Sequence, residues 1–328
     1  MKNVVFFNNK GGVGKTTFTY HLGFALERMG KKVLFVDADP QCNLSSHLCD
    51  DAIISQEWGT NGNSIYKAVE PIVLGSGDIK PVKPYKIENR NIWIFVGDLL
   101  LSDFETELTN AWTQLLAGQE RGFRVTSAIY RVVMNSCREQ EIDYVLFDIG
   151  PNMGALNRAI LLGCDNYFIP VVPDMFSLRG MQNIGRTFAT WINNYQLSLD
   201  RTIISGFDCV AGAPKFTGYV LQQFNKYRNR ETKAFAMWSE QIPETIENYV
   251  IKPLTAETLQ KYNLVAKRDD YKIAEFKNYN GLIPRAQAAQ KPIFELTAAD
   301  GVVGGHLNSV KTCSDEFAEV ASVFSSIV

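Results

Sequence analysis

Three groups of residues in this chain are of types and spacings that can do chemistry. The first is Lys10-Gly11-Gly12-Val13-Gly14-Lys15-Thr16-Thr17. Its glycines free the backbone N–H groups to turn inward around an anion, where a Cβ would obstruct the loop. A helix starting near Lys15 would add unpaired N–H groups and its positive dipole end. Lys15 can then reach the β- and γ-phosphates of a nucleotide, and the Thr16 hydroxyl can ligate Mg²⁺. The second group is Asp37 and Asp39, in Asp37-Ala38-Asp39-Pro40-Gln41. Asp39 can orient a water towards a γ-phosphate, and Asp37 can support the Mg²⁺ shell. The third is Asp148, which ends the apolar run Tyr144-Val145-Leu146-Phe147 and can hold Mg²⁺ through a water. Each group alone has a bland reading: a glycine turn with solvated lysines, a helix-capping Asp-Pro loop, a strand that ends in Asp. Their order and flanks favour chemistry.

These residues need elements that position them. Val4–Phe7 reads as a buried strand before the glycine loop, and residues 16–29 as a helix with Leu22, Ala25, Leu26 and Met29 on one face and Gly30 as its stop. Lys32–Val36 is a strand running into the two aspartates. A helix around 64–69, a strand at 91–96, and helices near 102–116 and 123–138 follow, with Phe104, Leu108, Trp112 and Leu115 facing a core. Strands are expected over 143–148, 166–173 and 201–210, and helices over 177–194 and 311–327, the last with Phe317, Val320, Ala321 and Phe324 inward. Alternating strands and helices imply an α/β fold, a doubly wound and mostly parallel sheet with helices on both faces. In such sheets ligands bind at the carboxyl ends of the strands, where all three groups fall. Residues 50–91 and 238–280 break the alternation. They read as insertions, the second as a small helical excursion or flap, in a single domain spanning 1–328.

The chain has 328 residues, 46% of them hydrophobic, and a formal charge of −2, which excludes a wholly basic nucleic-acid binder. Six scattered cysteines show no metal-finger spacing and suit a reducing cytoplasm. No signal peptide or membrane-spanning apolar run is evident, so a cytoplasmic protein without membrane attachment is expected. Positive charge concentrates in 215–233, where Lys215, Lys226, Arg228, Arg230 and Lys233 face only Glu231. Tyr219, Phe224 and Tyr227 lie among them and read as anchors of a helix. Such a run is most often a solvated helix end.

The glycine loop departs from the general phosphate-loop pattern at one point: Asn9 stands where glycine is usual, and Lys10 follows. In this it resembles the deviant Walker A signature of the ParA/MinD family of P-loop ATPases, closest to the ParA-like partitioning members. D-x-D-P-Q resembles that family's second motif, and Asp148 its Walker B aspartate. Two prolines usually follow the latter, where this chain has Gly150-Pro151-Asn152. The stretch Gly97–Glu105 is similar to one in larger ParA-like chains. Leu282-Ile283-Pro284-Arg285 resembles the family's V-I-P-R, where the proline lies near adenine, and Lys291-Pro292-Ile293 the K-P-I that follows.

The resemblance implies an ATPase using ATP and Mg²⁺, with weak turnover stimulated by a partner, a ParB-like protein or another adaptor. ATP would be sandwiched in a homodimer, with Lys10 reaching the partner's nucleotide. Catalysis would rest on Lys10, Lys15 and Asp39, nucleotide binding on Gly11, Gly12, Val13, Gly14, Lys15, Thr16, Thr17 and Pro284, and metal binding on Thr16, Asp37 and Asp148. Family members bind duplex DNA non-specifically through basic residues in the C-terminal part, which points to Lys215, Lys226, Arg228, Arg230 and Lys233 and to the nucleoid. The closing helix lacks the basic flank of a membrane-targeting tail, against the MinD branch. A rival reading is an ATP-dependent switch or scaffold that positions a protein partner without DNA. Electron-transfer relatives need cluster cysteines after Asp148, and positions 149–155 have none.

Overall fold

Val4, Val5, Phe6 and Phe7 are all buried. A strand apolar on both faces must lie inside a sheet covered by helices on both sides. The computed structural model, which describes residues 1–223, 233–277, 279 and 281–328, has that architecture. Eight strands form one sheet: β1 (Lys2–Phe6), β2 (Val33–Asp37), β3 (Tyr85–Lys86), β4 (Ile92–Phe95), β5 (Tyr144–Asp148), β6 (Asn166–Val171), β7 (Lys215–Gln223) and β8 (Lys272–Lys277). Their order is β3-β4-β2-β5-β1-β6-β7-β8. All neighbours are parallel except the β3–β4 pair. The chain winds outward on one side of β1 and then on the other, so a switch point lies at the carboxyl end of β1.

Side chains alternate across the sheet, as period-2 geometry requires. Val5, Leu34, Val36, Val145 and Phe147 join one core, under the helices Leu101–Leu116, Ala128–Gln140 and Met175–Leu199. Val4, Phe6, Val33, Phe35 and Leu146 join the other, under Lys15–Arg28 and Gly305–Ile327. In the second core Phe6 meets Phe18 edge-on, with centroids 4.9 Å apart, and Phe18 lies 5.7 Å from Phe317. Phe104, Leu108, Trp112 and Leu115 are buried as expected, as are Phe317, Val320, Ala321 and Phe324. Of the expected face of the first helix, Met29 is exposed, because the helix stops at Arg28.

The expected strand at 201–210 is absent. That stretch is loop, with Ile203 88% exposed and Gly206 in the left-handed region. The strand comes later, as β7, so Tyr219 belongs to a strand and not to a helix. The 50–91 stretch forms the helices Asp51–Trp58 and Ile65–Val73 and the edge strand β3. Residues 238–280 continue the helix Lys233–Ile246, pass through further helical turns to Tyr262, and end in β8. That strand is half-buried at the sheet edge and carries little apolar signal. The helical part packs closely on Met175–Leu199: a Cβ on Gly185 would fall 2.1 Å from the Tyr249 carbonyl oxygen. Among the described residues no helix is long and apolar enough to cross a membrane.

Candidate active site

The glycine loop joins β1 to the helix Lys15–Arg28 at the carboxyl edge of the sheet. Gly12 (φ +72°) and Gly14 (φ +78°) adopt left-handed backbone that other residues resist. Buried Asn8 braces the loop from inside. Its Nδ2 donates to the Pro170 carbonyl on β6 at 2.7 Å, and its Oδ1 accepts the Lys10 N–H at 3.0 Å. Asn9 is accommodated because a glycine faces it: a Cβ on Gly180 would come within 2.7 Å of Asn9 Oδ1. Val13 is buried, and Thr16 and Thr17 lie half-buried in the first helical turn. Lys15, 7% exposed, folds over the loop and donates to the carbonyls of Asn8 (3.2 Å) and Lys10 (3.3 Å). Burial lowers its pKa, against the attraction of Asp148 and Asp39. A charged donor resting on main-chain carbonyls gains strongly from an arriving anion.

Asp37 and Asp148 are direct neighbours in the β2–β5 register, and both are buried. Burial pushes the Asp37 carboxyl up to about 7, although Ser45 draws it back. The Ser45 N–H and hydroxyl both donate to Asp37 Oδ2, at 2.8 and 2.6 Å. The same hydroxyl accepts the Gly97 N–H at 2.8 Å, locking the ends of β2 and β4 together. Asp148 has no such support. Both of its oxygens are buried without a hydrogen-bond partner. Burial first, and then the charge of Asp37, raise its pKa well above the carboxylate range, while nearby Thr16 and Lys15 ease it. An unpartnered buried carboxylate beside a phosphate loop fits a divalent cation, which would supply the missing charge. Among the described residues no three His, Cys, Asp or Glu side chains cluster as a metal site. Such an ion would therefore draw on Asp148, the Thr16 hydroxyl, phosphate oxygens and waters, as Mg²⁺ does.

Asp39 lies half-buried at the rim, its Oδ1 accepting the Gln41 N–H at 3.0 Å. Gly150 lies against it, since a Cβ there would sit 3.4 Å from Asp39 Oδ1. Lys10 turns away from its own loop. Its ammonium pairs with Asp174 and lies 3.4 Å from the Ser177 hydroxyl. Asp174 caps the helix Met175–Leu199 by accepting the Ser177 N–H at 2.8 Å. Burial works against the Asp174 charge, but Lys10 and that N–H together hold its carboxyl below the usual range.

Pro284 is exposed in the first turn of the helix Ile283–Ala289. Ile283 before it lines a narrow crevice with Thr17, Gln222 and Phe276. Buried His21 joins this segment to the phosphate-loop helix. Its Nδ1 bonds the Thr17 carbonyl at 2.7 Å, and its Nε2 accepts the Ile293 N–H at 3.1 Å. Burial drives its pKa down to about 4, so the ring is neutral and Nδ1 carries the proton.

Of the basic set, Lys215 and Lys233 lie among the described residues. Lys226, Arg228 and Arg230 lie outside the described residues, as do Phe224 and Tyr227. Lys233 opens the helix Lys233–Ile246. Lys215 begins β7 at the amino edge of the sheet, the opposite end from the phosphate loop. There it lines an open cavity of about 590 Å³ with Lys2, Lys267 and Arg268, which were not singled out in the sequence because 213 residues separate Lys2 from Lys215 and 52 separate Lys215 from Lys267. Asn8, Ser45 and Asp174 were likewise missed as parts of the site. Only Asp174 carried a local signal, as an Asp before a long helix.

A strand–glycine loop–helix unit with two buried aspartates on neighbouring parallel strands defines a P-loop nucleotide-binding protein. A family model described as AAA domain matches residues 1–201, more than half of the chain. The chain belongs to this family, among the ParA/MinD partitioning ATPases. It is similar to the sporulation initiation inhibitor protein Soj of Bacillus subtilis, 29% identical over 187 residues, covering 57% of this chain and 64% of that protein. It is also 29% identical over 180 residues to the chromosome partitioning protein ParA of Caulobacter vibrioides, covering 55% of this chain and 59% of that one. Each match thus spans less than two thirds of the relative's length. An ATP complex of Cyanothece McdA shares the fold, with a TM-score of 0.63 at 16% identity over 99% of this chain and 96% of that one.

Proposed function

We propose that this chain is an ATP-hydrolysing, dimerising switch of the ParA type, one domain over 1–328 elaborated at 50–91 and 238–280. The observation that carries this reading is Asp148, a buried carboxylate with both oxygens unpartnered, beside a glycine loop whose lysine rests on main-chain carbonyls. Both groups need a counter-charge that Mg²⁺–ATP supplies together.

In this reading the N–H groups of residues 11–17 cradle the phosphates and Lys15 swings onto them. Thr16 and Asp148 hold Mg²⁺, with Asp37 behind them fixed by Ser45. Bound Mg²⁺ neutralises charge on the phosphate oxygens. Asp39, at the open rim, orients the attacking water. Lys10 leaves Asp174 and enters the partner's site, where a dry interface makes its charge count against the γ-phosphate.

The output is non-specific DNA binding in segregation or cargo positioning, as the name of the Caulobacter relative suggests, with an adaptor protein stimulating turnover. The testing experiment follows ATP-dependent dimerisation and retention on arbitrary duplex DNA across a salt series. Binding that needs ATP and falls steeply with salt supports it. An ATP dimer that ignores DNA at low salt favours the protein-positioning scaffold instead.

A further inference from the structure

The loop that follows Asp148 comes back to the site at Gly150. Among the described residues the Asp39 carboxylate accepts one hydrogen bond, from the Gln41 N–H at 3.0 Å. Its other support is steric. A Cβ on Gly150 would lie 3.4 Å from Asp39 Oδ1, 3.5 Å from Cγ and 3.6 Å from Oδ2, so this backbone runs beside the whole carboxylate. Glycine is the least constrained of residues, so such a wall needs something to hold it. Asn157, 2% exposed in the first turn of the helix Ala155–Gly163, supplies the hold. Its Nδ2 donates to the Gly150 carbonyl at 2.8 Å, and to the carbonyl and Oδ1 of Asn152 at 2.8 and 3.1 Å. One amide group thus ties down both neighbours of Pro151. Asn152 closes the rest of the loop, its Oδ1 also accepting the Gly154 N–H at 2.8 Å.

We propose that Asn157 is a positioning residue for hydrolysis: by fixing the Gly150 carbonyl it keeps Asp39 aimed at the attacking water. This rests on the role given to Asp39 above and adds the group that acts through it. A buried amide whose donors serve three acceptors on one short loop is placed to set that loop's shape, not to meet a ligand. None of its bonds runs to the phosphate loop, and Asp148 is held separately by its pairing with β1 and β2. Loss of Asn157 should therefore spare nucleotide binding and cost rate, because displacing a reacting group by an ångström slows a reaction steeply.

The test measures single-turnover ATP hydrolysis, equilibrium ATP affinity and hydrogen exchange of the nucleotide-free protein, on wild type, Asn157→Ala and Asn152→Ala. In Asn157→Ala hydrolysis should slow roughly 10- to 100-fold, with ATP affinity within about threefold. Exchange across residues 149–154 should quicken by about tenfold or more as the loop opens. Asn152→Ala, at an exposed position, removes two of the loop's bonds and should slow hydrolysis about two- to fivefold, again without loss of affinity. Wild-type hydrolysis in Asn157→Ala, a fall in ATP affinity that matches the fall in rate, or unchanged exchange overturns the inference and leaves the phosphate loop standing. Should Asn157→Ala fail to fold, the same criteria apply to Asn152→Ala. A wild-type protein that neither binds nor hydrolyses ATP overturns the nucleotide reading and this inference with it.

Discussion

The Lys10 ammonium is paired within its own chain, to Asp174, the residue that caps the helix Met175–Leu199. A lysine destined for a partner's phosphates must first give up this contact. The pair is about one-third exposed on each side, so its worth is modest, about 0.2–1 kcal/mol. Asp174→Asn keeps the cap, since Asn caps as well as Asp, and removes the charge. Its ATP-dependent dimer should form at roughly two- to fivefold lower protein concentration in analytical ultracentrifugation, the factor that so small an energy gives. Lys10→Ala should abolish that dimer while leaving monomer ATP affinity within about threefold. A Lys10→Ala protein that dimerises like wild type would remove Lys10 from the composite site.

Lys15→Ala should eliminate ATP binding in calorimetry, because the phosphates lose their principal mobile cation. Wild-type affinity in that variant would defeat the phosphate-loop assignment.

The carboxylates should separate by variant. Asp39→Ala should still bind Mg²⁺–ATP and accumulate as a persistent dimer with little turnover. Mixed with Lys10→Ala it should regain activity, because the heterodimer contains one site with Asp39 in place and Lys10 supplied across the interface. No rise above either variant alone would mean that Lys10 acts within its own protomer.

Asp148→Asn should behave oppositely in the two states. The nucleotide-free protein should melt at a higher temperature at pH 8, since it no longer carries an unpartnered buried charge. Its nucleotide affinity should lose dependence on Mg²⁺. The wild-type carboxyl has a raised folded pKa, so its penalty is absent below the unfolded value and grows as pH rises towards the folded one. The thermal advantage of the variant should therefore vanish near pH 4.

His21 runs the other way. Its folded pKa of about 4 lies below the unfolded value, which is about 6.5. The unfolded chain takes up this proton first, so stability is complete above about pH 6.5 and declines as pH falls towards 4, by up to roughly 3 kcal/mol. His21→Gln should remove that part of the slope in denaturant titrations. An unchanged slope would mean that the imidazole binds its proton equally well in the folded and unfolded chains.

Most of the site's chemistry was legible because it sits where buried apolar runs end. Val4–Phe7, Val33–Val36 and Val145–Phe147 each mark a central strand; the glycine loop begins within a few residues of the first, and an aspartate directly follows each of the other two. What positions those groups was not legible, because it arrives from far along the chain. Asn8 is held by Pro170, Lys10 by Asp174 and His21 by Ile293, at separations of 162, 164 and 272 residues. The misplaced strand has a local cause. Ile203 and Ile204 offer an apolar pair of which only Ile204 packs on the core while Ile203 faces solvent, whereas β7 was masked by its glycine and by the charged run after it. β8 is an edge strand, where one face is wet and the apolar pattern thins.

The Gly185 contact has a mechanical consequence. The helix Met175–Leu199 is a stiff rod held near its middle, where Gly185 lies against the Tyr249 backbone. Asp174 stands roughly 17 Å to one side of that hold and Leu199 about 21 Å to the other, at 1.5 Å per residue. The two arms are nearly equal in length. Towards Leu199, Tyr195 and Gln196 grip the carbonyls of Val210 and Ala211, at 2.9 and 2.7 Å. Ala211 forms part of the wall of the cationic cavity on the opposite edge of the sheet. One helix thus spans from the Lys10 pair to the wall of that cavity.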